Sequence, residues 1–374
     1  MKPLGYYRDA CDPAGYVARL GGREPSAFIF HEVEEARFGR QLQGLERKEL
    51  RGVSCLDVDW SRPDPREVVL TFDDGRASLY DVAYPLLARH GFRATAFVSP
   101  GLMDGAGDES GSESGGSRGR LVSFDQVREM HASGVIDFQL HGYAHARVFV
   151  SDRIIDFARP GRSDVNLGIA AWRIRRDGVE TCEIELTPGE PIYEYGSRWG
   201  PHPRFVDSER VREACRARVA DGGGALRFFA DSAWRARLEA AVRETRSDPL
   251  SDERLETEAE RDTDRRLLLA GARDLLRAET GITATHFALP WAEEGPGVEQ
   301  VALACGIEHL HLGYRSPAEH ARGSRSSLNR HPRLKEYFLD RLPGPGRPSL
   351  AAFLLGETRR HATAEGRDPF RCEG

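Results

Sequence analysis

The alternation of apolar and polar positions along the 374 residues predicts strands separated by helices. Short apolar runs, rich in β-branched and aromatic residues, are typical of strands that are buried on both faces. They predict strands at residues 26–33, 53–58, 68–72, 93–98, 135–140, 283–289 and 307–312. A strand, a helix and a further strand in succession form a right-handed βαβ unit. The pattern therefore predicts an α/β fold with a parallel sheet.

Apolar residues at helical spacing, together with capping residues, predict the helices between these strands. Ser123 and Gln126 form a capping pair at the start of one helix, and Gly91 and Gly281 are suited to end two others. The predicted helices cover residues 34–50, 77–90, 123–132, 267–279, 298–305 and 349–362. Their position between the strands supports the α/β prediction.

One long stretch departs from this pattern and predicts an insertion. Residues from about 150 to 263 contain a possible hairpin or edge strand at 173–186, two surface helices and a strongly charged segment, without the regular strand and helix order. We expect a single domain at 26–374 that this insertion interrupts. Residues 1–25 are expected to form a loose lead-in, and the Gly- and Ser-rich stretch 104–119 a mobile loop.

Composition narrows the class of partner. Hydrophobic residues make up 40% and charged residues 30% of the chain, and the net charge of −6 gives no electrostatic reason to expect nucleic acid or an anionic membrane surface. The first residues contain no apolar signal region, and no apolar stretch approaches the length of a membrane span. The six cysteines are scattered, which favours reduced thiols in a cytoplasmic protein.

Two pairs of polar residues follow predicted strands. Asp73 and Asp74 stand at the carboxyl end of one strand, and His141 and His145 follow another. Either pair alone is typical of a turn or of ordinary polar positions. However, the carboxyl ends of parallel strands meet on one face, and one Asp with two His residues is a suitable ligand set for zinc. Zinc activates water as a nucleophile, and the remaining carboxylate could take the proton of that water.

Three motifs resemble those of the polysaccharide deacetylase family, which has the NodB homology domain and is also called carbohydrate esterase family 4. They are Thr71-Phe72-Asp73-Asp74-Gly75, His141-Gly142-Tyr143-Ala144-His145 and Phe287-Ala288-Leu289-Pro290-Trp291. The resemblance covers residues 26–148 and, roughly, 270–312, in the family's order. It implies a distorted (β/α) barrel of the NodB type, with fewer strands than a regular barrel and here with a large insertion.

The resemblance also implies a reaction. Asp74, His141 and His145 would hold a divalent metal, most often zinc, and Asp73 would be the general base that activates a metal-bound water. The water would attack the carbonyl of an N-acetyl group, or less often of an O-acetyl group, on a carbohydrate. The products would be acetate and a free amine.

The third motif implies residues on the substrate side. The backbone N–H of Trp291 would complete the oxyanion hole, and its side chain would wall the sugar pocket. Pro290 and Tyr143, from the third and second motifs, are expected to contact the substrate as well. Many family members carry an arginine in the third motif that pairs with the catalytic aspartate, whereas this chain has Ala288 at the matching position.

A second departure concerns the histidine that would protonate the leaving amine, because no clear motif for it stands near the carboxyl terminus. His309 and His311 alternate on a predicted strand and could lie on opposite faces, and His331 is a further candidate. His31 stands at another strand end and could line the pocket. Each of these four is also compatible with an ordinary polar or core position.

Three functional hypotheses follow. The first is a zinc-dependent carbohydrate deacetylase that acts on a carbohydrate or sugar conjugate. The second is a non-catalytic NodB-like domain that binds metal for ligand recognition, which Ala288 and the missing acid histidine favour. The third is a hydrolase of a small non-peptide amide, which the absence of a signal sequence favours. The sugar, the acyl group, the native metal and the oligomeric state stay open.

Overall fold

The structure is a computed structural model that describes residues 26–62, 64, 66–103, 120–145, 147–160, 171–174, 180–183, 186–247, 252–313 and 328–342. The predicted lead-in at 1–25, the predicted loop at 104–119 and the predicted helix at 349–362 lie outside these residues. No helix within the described ranges has both the length and the apolar character that crossing a bilayer requires.

The described strands and helices alternate along the chain. The strands are β1 (Ser26–Phe30), β2 (Arg51–Val53), β3 (Glu67–Asp73), β4 (Ala94–Val98), β5 (Ile136–Leu140), β6 (Arg147–Phe157), β7 (Ala171–Ile174), β8 (Glu180–Glu183), β9 (Pro191–Ser197), β10 (Phe205–Val206), β11 (Arg254–Leu255), β12 (His286–Ala288), β13 (His309–Gly313) and β14 (Asn329–Lys335). The α-helices are α1 (Glu35–Arg47), α2 (Tyr84–His90), α3 (Phe124–Ala132), α4 (Glu209–Asp221), α5 (Ala225–Ala230), α6 (Trp234–Arg246), α7 (Glu258–Thr280) and α8 (Val298–Ala304). A π-helical turn (Leu79–Ala83) precedes α2.

Seven parallel strands close into a barrel. Their order around the barrel is β1, β3, β4, β5, β12, β13 and β14, and β14 pairs with β1 to complete the circle. Strand β2 pairs with the first residues of β3, while β4 pairs with its last residues. The barrel is parallel throughout and has fewer strands than a regular eight-stranded one. The predicted fold class is therefore confirmed.

The outward faces of the strands pack against the helices. Phe30 and Phe72 stack with ring centroids 5.1 Å apart, and Phe38 of α1 meets Phe72 edge to face at 5.7 Å. Aromatic pairs of this kind add to the stabilisation from apolar burial. The helices α1, α2, α3, α7 and α8 contribute buried residues to this same core. Apolar burial on the outside thus leaves the interior positions of the strands free for polar side chains.

The chain between β5 and β12 forms structure outside the barrel sheet. Three two-stranded sheets pair β6 with β9, β7 with β8 and β10 with β11. A separate cluster of buried residues, including Phe157, Cys215 and Leu238, packs β6 against α4 and α6. The predicted hairpin near residues 173–186 corresponds to β7 and β8. The proposed bounds of the insertion, about 150–263, stay a prediction.

Several elements differ from the sequence expectations, among them the predicted helix 77–90, whose α-helical part begins only at Tyr84. Helix α7 begins at Glu258, before the predicted start at residue 267, because Thr257 and Glu260 form a capping box within the charged segment. Strands β2 and β12 have only three residues each, since the rest of both apolar runs lies in loops. Strand β14 was not predicted, and it completes the barrel.

Candidate metal centre

Asp73 and Asp74 follow one another at the carboxyl end of β3, but their side chains have different surroundings. Asp73 is the last residue of the strand, and its side chain is buried in the barrel interior. Asp74 has a left-handed backbone with a φ of 70°, and Gly75 follows with a φ of 66°. A left-handed conformation costs a non-glycine residue about 1–2 kcal/mol, and such strain is concentrated at functional sites. The turn separates the two carboxylates.

His141 and His145 lie in the loop that follows β5. The Nδ1 atom of His141 is 2.8 Å from the backbone oxygen of Ala288, to which it donates, so its Nε2 atom carries the free lone pair. This Nε2 is 3.6 Å from Asp74 Oδ1, and the Nε2 of His145 is 3.5 Å from the same oxygen. The histidines therefore converge on one carboxylate oxygen from a loop and not from a helix. His145 also has a left-handed backbone, with a φ of 50°.

The donor atoms of Asp74, His141 and His145 fit a divalent cation. One ligand atom from each lies within 4.8 Å of the others. Asp74 Oδ1 is buried and has no hydrogen-bond partner among the described residues, which is costly for a carboxylate unless a cation occupies the space. Its other oxygen, Oδ2, accepts a hydrogen bond from Arg76 at 3.2 Å. Two oriented imidazole lone pairs that face an unsatisfied carboxylate oxygen form a suitable three-ligand site.

The pKa values of these groups favour ligand forms. Burial raises the pKa of Asp74, but the neighbouring histidines and Arg76 lower it more, so that its pKa lies below the ordinary value. Burial and the proximity of His141 lower the pKa of His145 to about 3. Asp74 is therefore ionised and His145 is neutral at physiological pH, as metal ligands must be.

Arg333 of β14 holds the Asp73 carboxylate in place. Its two terminal nitrogens donate to Oδ1 and Oδ2 of Asp73 at 2.6 and 2.9 Å, and one of them also donates to the hydroxyl of Thr71 at 3.0 Å. Arg333 is 1% exposed and Asp73 is 4% exposed. Burial raises the pKa of Asp73, but Arg333 and nearby histidines lower it by more. The pKa therefore lies below its ordinary value, and the carboxyl stays ionised. Asp73 is thus a buried, oriented carboxylate beside the three candidate ligands.

Part of the chain resembles one known protein family. Residues 61–163, which contain Asp73, Asp74, His141 and His145, match the family model of the polysaccharide deacetylases. This segment of the chain is therefore similar to the polysaccharide deacetylases. No curated protein matches the sequence.

Solved structures that resemble this chain have low sequence identity to it. The deacetylase domain of BpsB from Bordetella bronchiseptica is 18% identical, with a TM-score of 0.49 over 84% of this chain and 97% of that one. A de-N-acetylase from Aggregatibacter actinomycetemcomitans is 13% identical, with a TM-score of 0.48 over 83% of this chain and 94% of that one. IcaB from Ammonifex degensii is 14% identical, with a TM-score of 0.45 over 84% and 94%.

The partner of Asp73 comes from a strand that the sequence analysis did not predict. Position 288 in the third motif is an alanine instead of the expected arginine. Arg333, on a different strand, pairs with Asp73. Strand β14 reads Asn-Arg-His-Pro-Arg-Leu-Lys and has no apolar alternation, so periodicity could not reveal it. The one available signal was an arginine two residues after the candidate His331.

The expected substrate-side residues lie in different surroundings. Trp291 has a left-handed backbone after β12, is 37% exposed, and its ring centroid is 4.6 Å from that of His145. Pro290 is buried beside it. The ring of Tyr143 instead packs towards Gly101 and Gly271 and against the outer core. This favours a packing role for Tyr143, and its contact with substrate stays a prediction.

His31, which the sequence predicts as a possible pocket residue, lies near the carboxylates. It directly follows β1, whose Phe30 pairs with Phe72 of β3, so it stands next to Asp73. Burial lowers the pKa of His31, while Asp73 and Asp74 oppose this effect. His31 is therefore close enough to interact electrostatically with both carboxylates of the candidate site.

The expectation that His309 and His311 could lie on opposite faces is wrong. Residues two apart on a strand point to the same face. Both imidazoles lie in the barrel interior, where His311 is completely buried and the Nδ1 atom of His309 is 2.8 Å from the Nε2 atom of His331. These three histidines contact one another and are not at the mouth of the barrel.

Residues between β5 and β12 contact the loops around the candidate site. The guanidinium of Arg147 on β6 stacks over the ring of Trp291, with its carbon 3.3 Å from the ring centroid. The hydroxyl of Ser197 on β9 donates to the backbone oxygen of Pro290 at 3.3 Å. A Cβ atom added at Gly142 would lie 3.4 Å from Trp199 Nε1. This part of the chain therefore borders the same end of the barrel as the ligands.

Proposed function

We propose that the protein is a zinc-dependent hydrolase that removes an acetyl group from an N-acetylated carbohydrate. The observation that supports this most strongly is that two adjacent carboxylates have different surroundings. Asp74 has an unsatisfied oxygen that faces two histidines, whereas Asp73 is held by Arg333 outside that ligand set. A metal site used only for structure would not require the second buried carboxylate. The match of residues 61–163 to the polysaccharide deacetylase model supports a carbohydrate substrate.

In this proposal, Asp74, His141 and His145 hold the cation. The chemistry that such a cation supplies is Lewis acidity, which lowers the pKa of water and polarises a carbonyl group. Asp73 is the general base: it stays ionised beside Arg333 and accepts the proton of the attacking water. Its Oδ2 atom is 3.9 Å from His141 Nε2, which keeps the base next to the ligand set without joining it.

We propose that His31 donates a proton to the leaving amine. Its position directly after β1 and its electrostatic coupling to both Asp73 and Asp74 support this role. The backbone N–H of Trp291 is proposed to bind the developing oxyanion, and its ring to wall the sugar pocket. Pro290 is proposed to contact the substrate as well; its ring lies near Gly142, where an added Cβ would be 3.5 Å from Pro290 Cγ.

The second hypothesis, a non-catalytic domain that binds metal for recognition, is weaker in this structure. It depended on the missing arginine partner of Asp73 and on the missing acid histidine. Arg333 provides such a partner, and His31 is a candidate for the acid. Hydrolysis of a small non-peptide amide stays an alternative substrate class. The cytoplasmic location expected from the sequence also stays a prediction.

The test combines metal analysis with acetate release on the same samples. Asp74→Asn and His141→Ala should each lose about one equivalent of metal together with activity. Asp73→Asn should retain its metal and lose about 10²- to 10⁴-fold in kcat, the usual contribution of a general base. Asp81→Asn and His131→Ala, which change exposed residues of the same types, serve as controls.

The substrates should include N-acetylglucosamine oligomers of several linkages and small acetamides. Acetate release from oligomers that Asp73→Asn abolishes would support the deacetylase. Release from small acetamides alone would favour the small-amide hydrolase. A metal-loaded wild-type protein that releases acetate from none of them would overturn the hydrolase in favour of the binding domain.

A further inference from the structure

A second group of metal-binding side chains lies in the barrel interior, apart from the candidate centre at the mouth. Four histidines, His286 of β12, His309 and His311 of β13, and His331 of β14, occupy neighbouring positions of three adjacent strands. We call these four residues the histidine cluster. The rings of His286 and His309 stack at 4.2 Å, and the other neighbouring rings are 5.0–5.2 Å apart.

One buried nitrogen of the histidine cluster has no hydrogen-bond partner among the described residues. His286 Nδ1 lies 2.9 Å from His311 Nε2, and His309 Nδ1 lies 2.8 Å from His331 Nε2, so each pair shares one proton. His311 is completely buried, and its Nδ1 has no hydrogen-bond partner among the described residues. A buried polar atom without a partner is costly and requires an explanation, and an absent ion is one such explanation.

A cysteine completes a ligand set with two of these histidines. Cys55 follows β2 and is buried, and its Sγ lies within 4.8 Å of ligand nitrogens of His286 and His311. In tetrahedral zinc sites with these ligands, the ligand atoms are roughly 3.3–3.6 Å apart, which follows from bond lengths of about 2.0–2.3 Å. A contraction of at most about 1.2–1.5 Å through side-chain rotation would therefore bring the three atoms to bonding positions.

The surroundings hold the cysteine in this position. The backbone N–H of Cys55 donates to the hydroxyl of Thr95 at 2.8 Å, and the indole of Trp60 donates to its backbone oxygen at 3.2 Å. The Trp60 ring also covers His331, with centroids 3.7 Å apart. The group is thus enclosed on the side of the β2–β3 connection.

We propose that Cys55, His286 and His311 form a second, structural metal site that takes a borderline-soft transition ion such as Zn²⁺. A thiolate with imidazoles selects such ions over Mg²⁺ or Ca²⁺, and complete burial of the ligands is typical of a closed structural site. His331, next to His311, or a water supplies the fourth ligand. The ion would tie the β2–β3 connection to β12 and β13 across the barrel interior. The site is independent of the proposed deacetylase chemistry.

The experiment uses the thiolate as its signature, because the candidate centre at the mouth has none. The full-length protein is stripped with a chelator and reconstituted with Co²⁺, and its absorption spectrum and bound cobalt are measured. Wild type should bind about two equivalents and show a thiolate-to-cobalt charge-transfer band in the near ultraviolet. Asp74→Asn should keep the band with one equivalent. Cys55→Ser and His311→Gln should lose the band and one equivalent.

Cys305→Ser is the matched control, since Cys305 is another buried free thiol that contacts the backbone of Arg266. It should keep the band. Circular dichroism establishes that each variant is folded. A folded wild type without the band under excess Co²⁺ overturns the proposal, even if the Cys55 variant does not fold. A band that survives in Cys55→Ser, or disappears in Asp74→Asn, overturns it as well.

Discussion

Replacing Arg333 with methionine tests whether the ion pair with Asp73 supports both stability and the proposed base. Methionine keeps an unbranched apolar stem but removes the guanidinium that binds both oxygens of Asp73. The Thr71 hydroxyl loses one donor and still donates to the backbone oxygen of Phe28 at 2.7 Å. The principal consequence is therefore an unpaired buried carboxylate at Asp73.

The expected loss of stability in Arg333→Met follows from the burial of the ion pair between Arg333 and Asp73. Removing one partner of a fully buried ion pair typically costs about 3–5 kcal/mol, because the remaining charge is left uncompensated. Both partners here are at most 4% exposed, so solvent offers little compensation. The pKa of Asp73 lies below its ordinary value, so this stability is present above about pH 4 and is lost as the pH falls further. The difference between wild type and variant should thus be largest at neutral pH.

The assay is denaturant unfolding at pH 7 of chelator-treated protein, together with kcat and metal content of the metal-loaded protein. Arg333→Met should lower the free energy of unfolding by about 3–5 kcal/mol and reduce kcat, with Asp74-dependent metal binding retained. Arg330→Met is the matched control on the same strand. Arg330 pairs with Glu294 and Glu299 at 2.9 Å at a partly exposed position, where such pairs contribute about 0–1 kcal/mol.

Two results would refute this reasoning. The first is an Arg333→Met variant whose stability lies within about 1 kcal/mol of that of wild type, as for an exposed pair. The second is an unchanged kcat, which would separate the arginine from the proposed base. Arg333→Lys adds a further check, because it restores the charge without the planar two-donor fork. We expect lysine to recover stability partly and kcat less.

The buried histidines predict sensitivity to acid: burial lowers the pKa of His286 to about 2 and the pKa of His311 well below its ordinary value. Below about pH 6.5 only the unfolded chain binds these protons. The free energy of unfolding should therefore fall by about 1.4 kcal/mol per histidine for each unit by which the pH decreases. His286→Gln should reduce this slope in chelator-treated protein, and an unchanged slope would contradict the prediction. Arg265→Met should destabilise by about 1–3 kcal/mol for each buried carbonyl left without a donor, which can be measured by denaturant unfolding. The Arg265 guanidinium donates to the backbone oxygens of Arg198 and Gly200. Arg254→Met, at an exposed ion pair, is the control and should cost less than about 1 kcal/mol.

The sequence by itself determined the features that depend on neighbouring residues. Apolar runs predicted most of the barrel strands, and capping chemistry placed the start of α3 at Ser123 and the ends of α2 and α7 at Gly91 and Gly281. The position of Asp73 and Asp74 at the end of an apolar strand indicated a site, since parallel strands deliver such residues to one face. These inferences needed only local spacing.

Only the tertiary structure decided which distant residues meet. Arg333 reaches Asp73 across 260 positions because β14 closes the barrel against β1. Sequence periodicity could not reveal β14, because that strand carries polar residues towards the interior and lacks an apolar run. The same closure brings Cys55 beside His286 and His311. Local patterns encode which face a side chain takes, whereas the order and register of strands around the barrel determine its partners.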